Sequence, residues 1–235
     1  MPESIEIEIM CNNINNIFKN STLIEMNICS GRYIKHGYPD NFKKFNKNLP
    51  LTIDKFNIKG KLIWINFKNS EWSIIIKLGL TGRFTTESTK HTHYKFITNI
   101  GIFYIEDIRS FGTLQFTDDP KILIAELSKR GPDVRKITKK EFINLFKNIN
   151  QTSIIGTFLL NQTKLAGIGN YLRSDILYHS KISPHRPLKS LSNVDILQLY
   201  KSMKYILNKS YKEQIKKGLY NYDFLVYKVK DNNQK

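Results

Sequence analysis

Acidic residues are scarce in this chain. It has 20 Asp+Glu against 37 Lys+Arg, a formal net charge of +17 at pH 7. Such an excess favours a polyanion as partner, either nucleic acid or an anionic membrane surface. Part of it is compositional, because the richness in Asn, Lys and Ile has the look of AT-biased coding. Cysteine is scarcer still. Two cysteines, Cys11 and Cys29, cannot build a disulfide framework or a four-Cys zinc site, and they point to a reducing, intracellular compartment. Both are expected as buried free thiols. No apolar run reaches the roughly 18 residues of a membrane-spanning helix. No basic segment followed by an apolar one opens the chain, so no secretory leader is expected. These absences make the membrane the weaker of the two polyanions. Internal repeats and long disordered tracts are also lacking.

What is present divides into two halves. The 235 residues suffice for one large domain or two small ones. Ile7, Met10, Cys11, Ile14, Ile17 and Phe18 recur at helical spacing. Ser4 can cap that helix, and Glu6 sits in the first turn, where the helix dipole favours a carboxylate. The pattern predicts a helix over 4–19. Short β-branched and aromatic runs follow at 23–29, 61–67, 73–80, 94–98 and 101–107, separated by turn signals such as Lys68-Asn69-Ser70 and Asn99-Ile100-Gly101. Near residue 119 the character changes. Asp119-Pro120 starts a helix and Gly131-Pro132 stops it, with Ile122, Leu123, Ile124 and Leu127 available for its apolar face. Helical patterns then run over 139–149, 154–161, 172–179 and 194–207. The class is therefore α+β: an N-terminal β-sandwich with an N-terminal helix over 1–128, a linker over 129–145, and an all-helical domain over 146–222.

Two stretches carry chemistry. In Leu159–Arg173 a helix runs into a turn with Gly167 and Gly169, and a second helix starts at Asn170. Glycines allow close backbone approach, and the amides ahead of the second helix can point at one phosphate. Asn170 adds a side-chain donor. An ordinary helix–turn–helix hairpin has the same pattern. The other stretch is Met1-Pro2-Glu3. Pro2 suits the first turn of a helix. Alternatively, removal of a Met that precedes a small residue exposes a secondary amine, a potential nucleophile. His91 and His93 have no further ligand spacing beside them and read as a polar hairpin loop, so no metal site is expected.

The glycine-rich turn, followed by Ser183-Pro184-His185-Arg186-Pro187, resembles the helix–two-turn–helix of the formamidopyrimidine-DNA glycosylase / endonuclease VIII (Fpg/Nei) family. Met1-Pro2-Glu3, Gly60-Lys61, Leu78-Gly79-Leu80-Thr81-Gly82, Asp107-Ile108-Arg109-Ser110-Phe111-Gly112 and Gly131-Pro132-Asp133 fit the same family in the same order. Gly169–Arg173 and Asp175–Tyr178 look most like the Nei-like branch. Ser30–Tyr33 and Asp223–Tyr227 look most like giant-virus Nei proteins.

The resemblance implies a base-excision-repair enzyme that removes oxidised bases from DNA and then nicks the abasic strand. Pro2 would be the nucleophile, forming a Schiff base with the sugar C1′. Glu3 would move protons near the sugar, Lys61 would contact the lesion strand and assist, and Glu6 would support the site. Leu80, Arg109 and Phe111 would fill the space left by the flipped base. Lys77, Asn170, Gly167 and Gly169 would meet the DNA backbone. Ser4-Ile5 stands where the family usually has Gly-Pro. Family members also continue into a β-hairpin finger. Here residues 223–235 read as a stub of it, with the finger absent and no cofactor or zinc expected. Lys228, Lys230 and Lys235 either substitute partly for the finger or leave DNA binding weakened. Two functions follow: an active glycosylase/lyase on damaged DNA, expected as a monomer, or a DNA-binding relic of that family. Nucleus, cytoplasm and viral factory are not distinguished.

Overall fold

A computed structural model describes residues 2–147 and 153–218. The chain forms two compact units. One contains Pro2 and Glu6–Arg130; the other contains Glu3–Ile5 and the chain from Gly131 onward. The start of the chain is thus shared between them.

The first unit opens with α1 (Ser4–Phe18), whose residues from Glu6 belong to it. Ile7, Met10, Cys11, Ile14 and Phe18 are buried as the spacing predicts, whereas Ile17 is exposed. Then come β1 (Thr22–Ile28), α2 (Arg32–His36), α3 (Phe42–Lys47), β2 (Leu51–Lys59), β3 (Leu62–Phe67), β4 (Ser73–Lys77), β5 (Arg83–Thr85), β6 (Thr92–Thr98), β7 (Gly101–Glu106), β8 (Thr113–Thr117) and α4 (Pro120–Ser128). The strands form an antiparallel sheet in the order β5-β7-β6-β1-β2-β3-β4-β8. Its seam is the pairing of β1 with β2, where Thr22 faces Thr52 and Leu23 faces Leu51. Phe56 on β2 meets Phe84 of β5 and Phe103 of β7 at centroid distances of 5.8 and 5.6 Å. The sheet therefore folds over on itself into the expected sandwich, with aromatic rings between its layers.

The differences from expectation have local causes. The pattern at 51–59 hides β2, because a register shift between Ile53 and Lys55 breaks its alternation. Helices α2 and α3 are one to two turns long, too short for a periodicity to show. α4 has its predicted start: the Asp119 side chain accepts from the Lys121 N–H at 2.9 Å, and Pro120 occupies the first turn. Its face is not the predicted one. Ile122 and Ile124 are exposed, and Glu126 is the buried residue of the helix. Cys11 is a buried thiol, pushed up by desolvation, but Cys29 is exposed. The edge strand β8 is shielded by side chains, since the Tyr33 hydroxyl donates to the Leu114 carbonyl and accepts its N–H, both at 3.0 Å, and Asn41 Nδ2 donates to the Phe116 carbonyl.

The second unit is helical among its described residues: α5 (Lys139–Asn144), α6 (Ile155–Leu160), α7 (Asn170–Ser180) and α8 (Asn193–Lys217). α5 lies in the stretch expected as a linker, and the predicted helix end at Ile149 lies outside the described residues. Capping boxes start α5, at Thr138 and Glu141, and α8, at Ser192 and Asp195. Phe142, Leu159, Leu172, Ile176, Leu199, Met203 and Ile206 form the buried core. α8 runs ten residues beyond its predicted end at Leu207, through a lysine-rich stretch whose buried residues, Ser210 and Gln214, are polar and so leave no apolar period to read. Arg186 grips Asp195 with both terminal guanidinium nitrogens, at 3.1 and 2.8 Å, which holds the Ser183–Pro187 turn to the start of α8. The expected finger stub at 223–235, with Lys228, Lys230 and Lys235, lies outside the described residues.

Candidate functional site

In the second unit, the turn before α7 is built from its own side chains. Gln162 Oε1 accepts the Gly167 N–H at 2.9 Å, and Gln162 Nε2 donates to the carbonyls of Leu160 and Ile168. Gly167 has φ +116, a conformation that glycine adopts readily. The Gly167 carbonyl accepts the Ser4 N–H at 3.1 Å. The amides at the start of α7 are engaged. Glu3, 2% exposed, accepts from the N–H groups of Gly169 at 2.5 Å, Tyr171 at 3.1 Å and Leu172 at 3.3 Å. A carboxylate from the chain start thus occupies the helix N-terminus that the sequence offers to a phosphate, where backbone donors and the helix dipole favour an anion. Gly167 and Gly169 are buried; Gly169 holds Glu3 through its N–H, and Gly167 accepts the Ser4 N–H. Asn170 is exposed.

The first unit holds Pro2, buried, and Glu6, 2% exposed. Lys61 lies at the tip of the β2–β3 hairpin, where Lys59 pairs with Leu62. Gly60 takes φ +60 there, as the first central position of a type II′ turn requires. Lys77 ends β4 and forms an ion pair with Glu126 at 3.1 Å.

Two loops of this unit interlock. Leu78-Gly79-Leu80-Thr81-Gly82 follows β4, and Gly82 N–H returns to the Leu78 carbonyl at 3.0 Å. Asp107–Gly112 follows β7. A methyl at Gly79, whose φ is +66, would come within 2.9 Å of the backbone at Phe111 and Gly112. Only glycine permits that approach. Asp107, 2% exposed, brackets both loops: its carboxylate accepts the Thr81 hydroxyl, the Gly112 N–H at 2.7 Å and the Arg109 N–H at 3.3 Å. His93 Nε2 donates to the Asp107 carbonyl at 2.6 Å and lies 3.2 Å from Ser110 Oγ, while Nδ1 lies 3.1 Å from Ser30 Oγ. His93 is thus a buried residue of β6, not part of a polar loop. Phe111, 57% exposed, and Arg109 stand out from this scaffold, and Leu80, half-buried, follows Gly79 on the partner loop. An aromatic ring and a cation held out on braced loops suit insertion into a base stack. Asp107 and His93 are the positioning residues that sequence reasoning missed. Asp107 opens the quoted Asp107–Gly112 motif, and His93 sits in the alternation of β6.

Among the described residues no group of His, Cys, Asp and Glu has the arrangement of a metal site. A cavity of about 810 Å³ beside α7, lined by Arg173, Leu177, Tyr178, His179, Lys181 and Pro184 among others, contains none of the site residues expected from the sequence.

A sandwich with braced loops, and a helical unit whose glycine turn cradles the carboxylate of residue 3, define a class of two-unit proteins with a shared N-terminus. The family models agree with the division. The Formamidopyrimidine-DNA glycosylase N-terminal domain matches residues 1–114, and the Formamidopyrimidine-DNA glycosylase H2TH domain matches residues 130–219. The chain belongs to the formamidopyrimidine-DNA glycosylase / endonuclease VIII family. It is 29% identical to a formamidopyrimidine-DNA glycosylase of Shouchella clausii over 228 residues, 93% of this chain and 79% of that protein. It is likewise 29% identical to one from Prochlorococcus marinus strain MIT 9515, over 89% of this chain and 80% of that protein. Among solved structures, it is similar to Lactococcus lactis Fpg in complex with DNA containing an abasic site, at 25% identity and a TM-score of 0.76, over 89% of this chain and 78% of that one. It is also similar to the wild-type Lactococcus lactis protein with DNA containing an oxidised pyrimidine, at 25% identity and a TM-score of 0.77, over 90% and 80% of the two chains. These similarities carry the family and not the Nei-like or giant-virus branch.

Proposed function

We propose that this protein is a DNA glycosylase of base excision repair that removes oxidised bases through the amine of Pro2 and then cleaves the abasic strand. The observation that carries the reading is the Glu3 carboxylate, buried on the amides of Gly169, Tyr171 and Leu172. It ties the residue next to the nucleophile to the helix–two-turn–helix motif. Support also comes from the relatives, named as formamidopyrimidine-DNA glycosylases, and from the damaged-DNA complexes among the structural neighbours.

In this reading the Pro2 nitrogen lone pair attacks C1′, and the C1′–N bond to the base breaks. Glu3 moves the protons that open the sugar, and the secondary amine becomes an iminium. The iminium draws electrons from the adjacent C–H bond, so a base can remove that proton and the 3′ phosphate leaves by elimination. An α-amine, with an ordinary pKa of about 7.7–8.0, is partly unprotonated near neutrality, as the attack demands. Leu80, Arg109 and Phe111 take the space of the extruded nucleotide, and Lys61 and Asn170 hold the strand. The lesion class is oxidised bases, including pyrimidines.

Borohydride trapping on an oligonucleotide with one abasic site tests this. Protein whose intact mass shows Met1 removed is compared with protein that retains it. A covalent complex with the processed form alone supports the amine chemistry. Absence of any complex at low salt and high protein concentration leaves the DNA-binding relic.

A further inference from the structure

Glu126 is a carboxylate in a place the sequence pattern gives to an apolar face. It is the buried residue of α4, and cations surround it. Lys77 Nζ lies 3.1 Å from its Oε2, Lys129 Nζ 2.5 Å from its Oε1 and Arg130 Nη1 3.5 Å from its Oε2. The hydrogen bond from Lys129, with help from Lys77, holds this carboxyl down to about 2.

Lys77 differs from the other two cations in where it sits. Lys129 and Arg130 follow α4 in the same stretch of chain, three and four residues from Glu126, about one helical turn. Lys77 comes from the last position of β4, directly before the turn that carries Leu80. Its side chain is 46% exposed, so the ammonium faces both the carboxylate and solvent. A half-exposed pair of this kind is weak, and its exchange costs little. Stripping a buried carboxylate of every cation would be costly, but Lys129 and Arg130 remain when Lys77 departs.

We propose that Glu126 is the resting counterion of Lys77, a stand-in for a DNA phosphate, and that binding of the damaged strand transfers the ammonium from carboxylate to phosphate. This rests on the reading that the first unit binds DNA at the Leu80 turn. Glu126 is then a positioning residue. It holds Lys77 ready beside the turn, and it lowers the gain from any phosphate that arrives without the rest of the lesion.

The test is fluorescence anisotropy with a duplex containing a tetrahydrofuran abasic analogue, using wild type, Glu126→Gln, Lys77→Gln and the double variant. Glu126→Gln is expected to bind about two- to fivefold tighter than wild type, the range of a partly exposed ion pair. In the Lys77→Gln background the same change is expected to give a distinctly smaller gain, because only the general loss of one negative charge remains. Glu126→Asp keeps the charge but shortens the arm, and it serves if Glu126→Gln does not fold. It too is expected to bind tighter than wild type, and only when Lys77 is present. Equal gains in both backgrounds, or no gain, overturn the proposal. Failure of wild type to bind the duplex is a different result and removes the functional reading itself.

Discussion

Asp175 illustrates how one residue reports on its surroundings. It lies on α7, and burial pushes its carboxyl from 3.8 up to about 6. The folded state therefore holds a proton more tightly than the unfolded chain does. That favours folding below about pH 4, and the advantage is lost as pH rises towards about 6. Asp175→Asn removes the ionisable group. At pH 7 it should raise stability by about 1 kcal/mol, allowing for the partial exposure of the side chain, and at pH 4 it should change little. Thermal melts of both proteins at the two pH values check this. A stabilisation that is equal at both would mean that desolvation of the charge is not its source.

At the same scale, legibility was uneven. Pro2, Glu3, Gly60-Lys61 and the glycine turn stand in short motifs whose meaning is local, so the sequence displays them. The partner of Glu3 does not show. Its amides are 166 to 169 residues away, and no spacing rule links residue 3 to residue 169. Glu126 was hidden for the opposite reason. Helical periodicity assigns buried positions to apolar residues, but three neighbouring cations make a carboxylate tolerable inside.

Elements were legible where length or capping marks them. α1, α4, α7 and α8 begin at or near their predicted positions. Asp119, the signal from which the start of α4 is read, accepts the Lys121 N–H, and Ser192, which the sequence reading did not single out, accepts the Asp195 N–H before α8. β2, β5 and β8 were not legible; a bulge breaks the first and the second has three residues. In the proposed function the loops carry the residues that replace the extruded base. Gly79→Ala puts a methyl into the backbone at Phe111 and Gly112, at a φ that alanine disfavours. It should destabilise the protein by about 1–3 kcal/mol. It should also slow excision from a duplex more than cleavage at a preformed abasic site, where no base has to be flipped. Single-turnover rates on the two substrates provide the comparison; equal slowing would mean that the loops serve stability alone.

At the scale of the whole molecule, the charge of +17 has a thermodynamic consequence. Each phosphate neutralised by Lys or Arg releases counterions, so log affinity for duplex DNA should fall linearly with log salt, by about 0.9 per phosphate contact. Binding measured across a series of KCl concentrations gives that slope. A flat line would remove the polyanion partner that the scarcity of acidic residues first suggested. The slope is a property of the sum and does not depend on which lysines make the contacts.

The burial of residue 3 also sets a timetable for biosynthesis. The amides that hold Glu3 belong to residues 169, 171 and 172, so they emerge from the ribosome long after the chain start. Chains fold N-terminal part first as they are made. Until the α7 segment emerges, Glu3 lacks the amides that hold it, and the segment is open to the aminopeptidase that the proposed chemistry requires. Once Glu3 docks, the residue next to the proposed nucleophile is buried and held. The processing enzyme therefore has a deadline, set by translation speed over roughly 170 residues at about 5–20 residues per second.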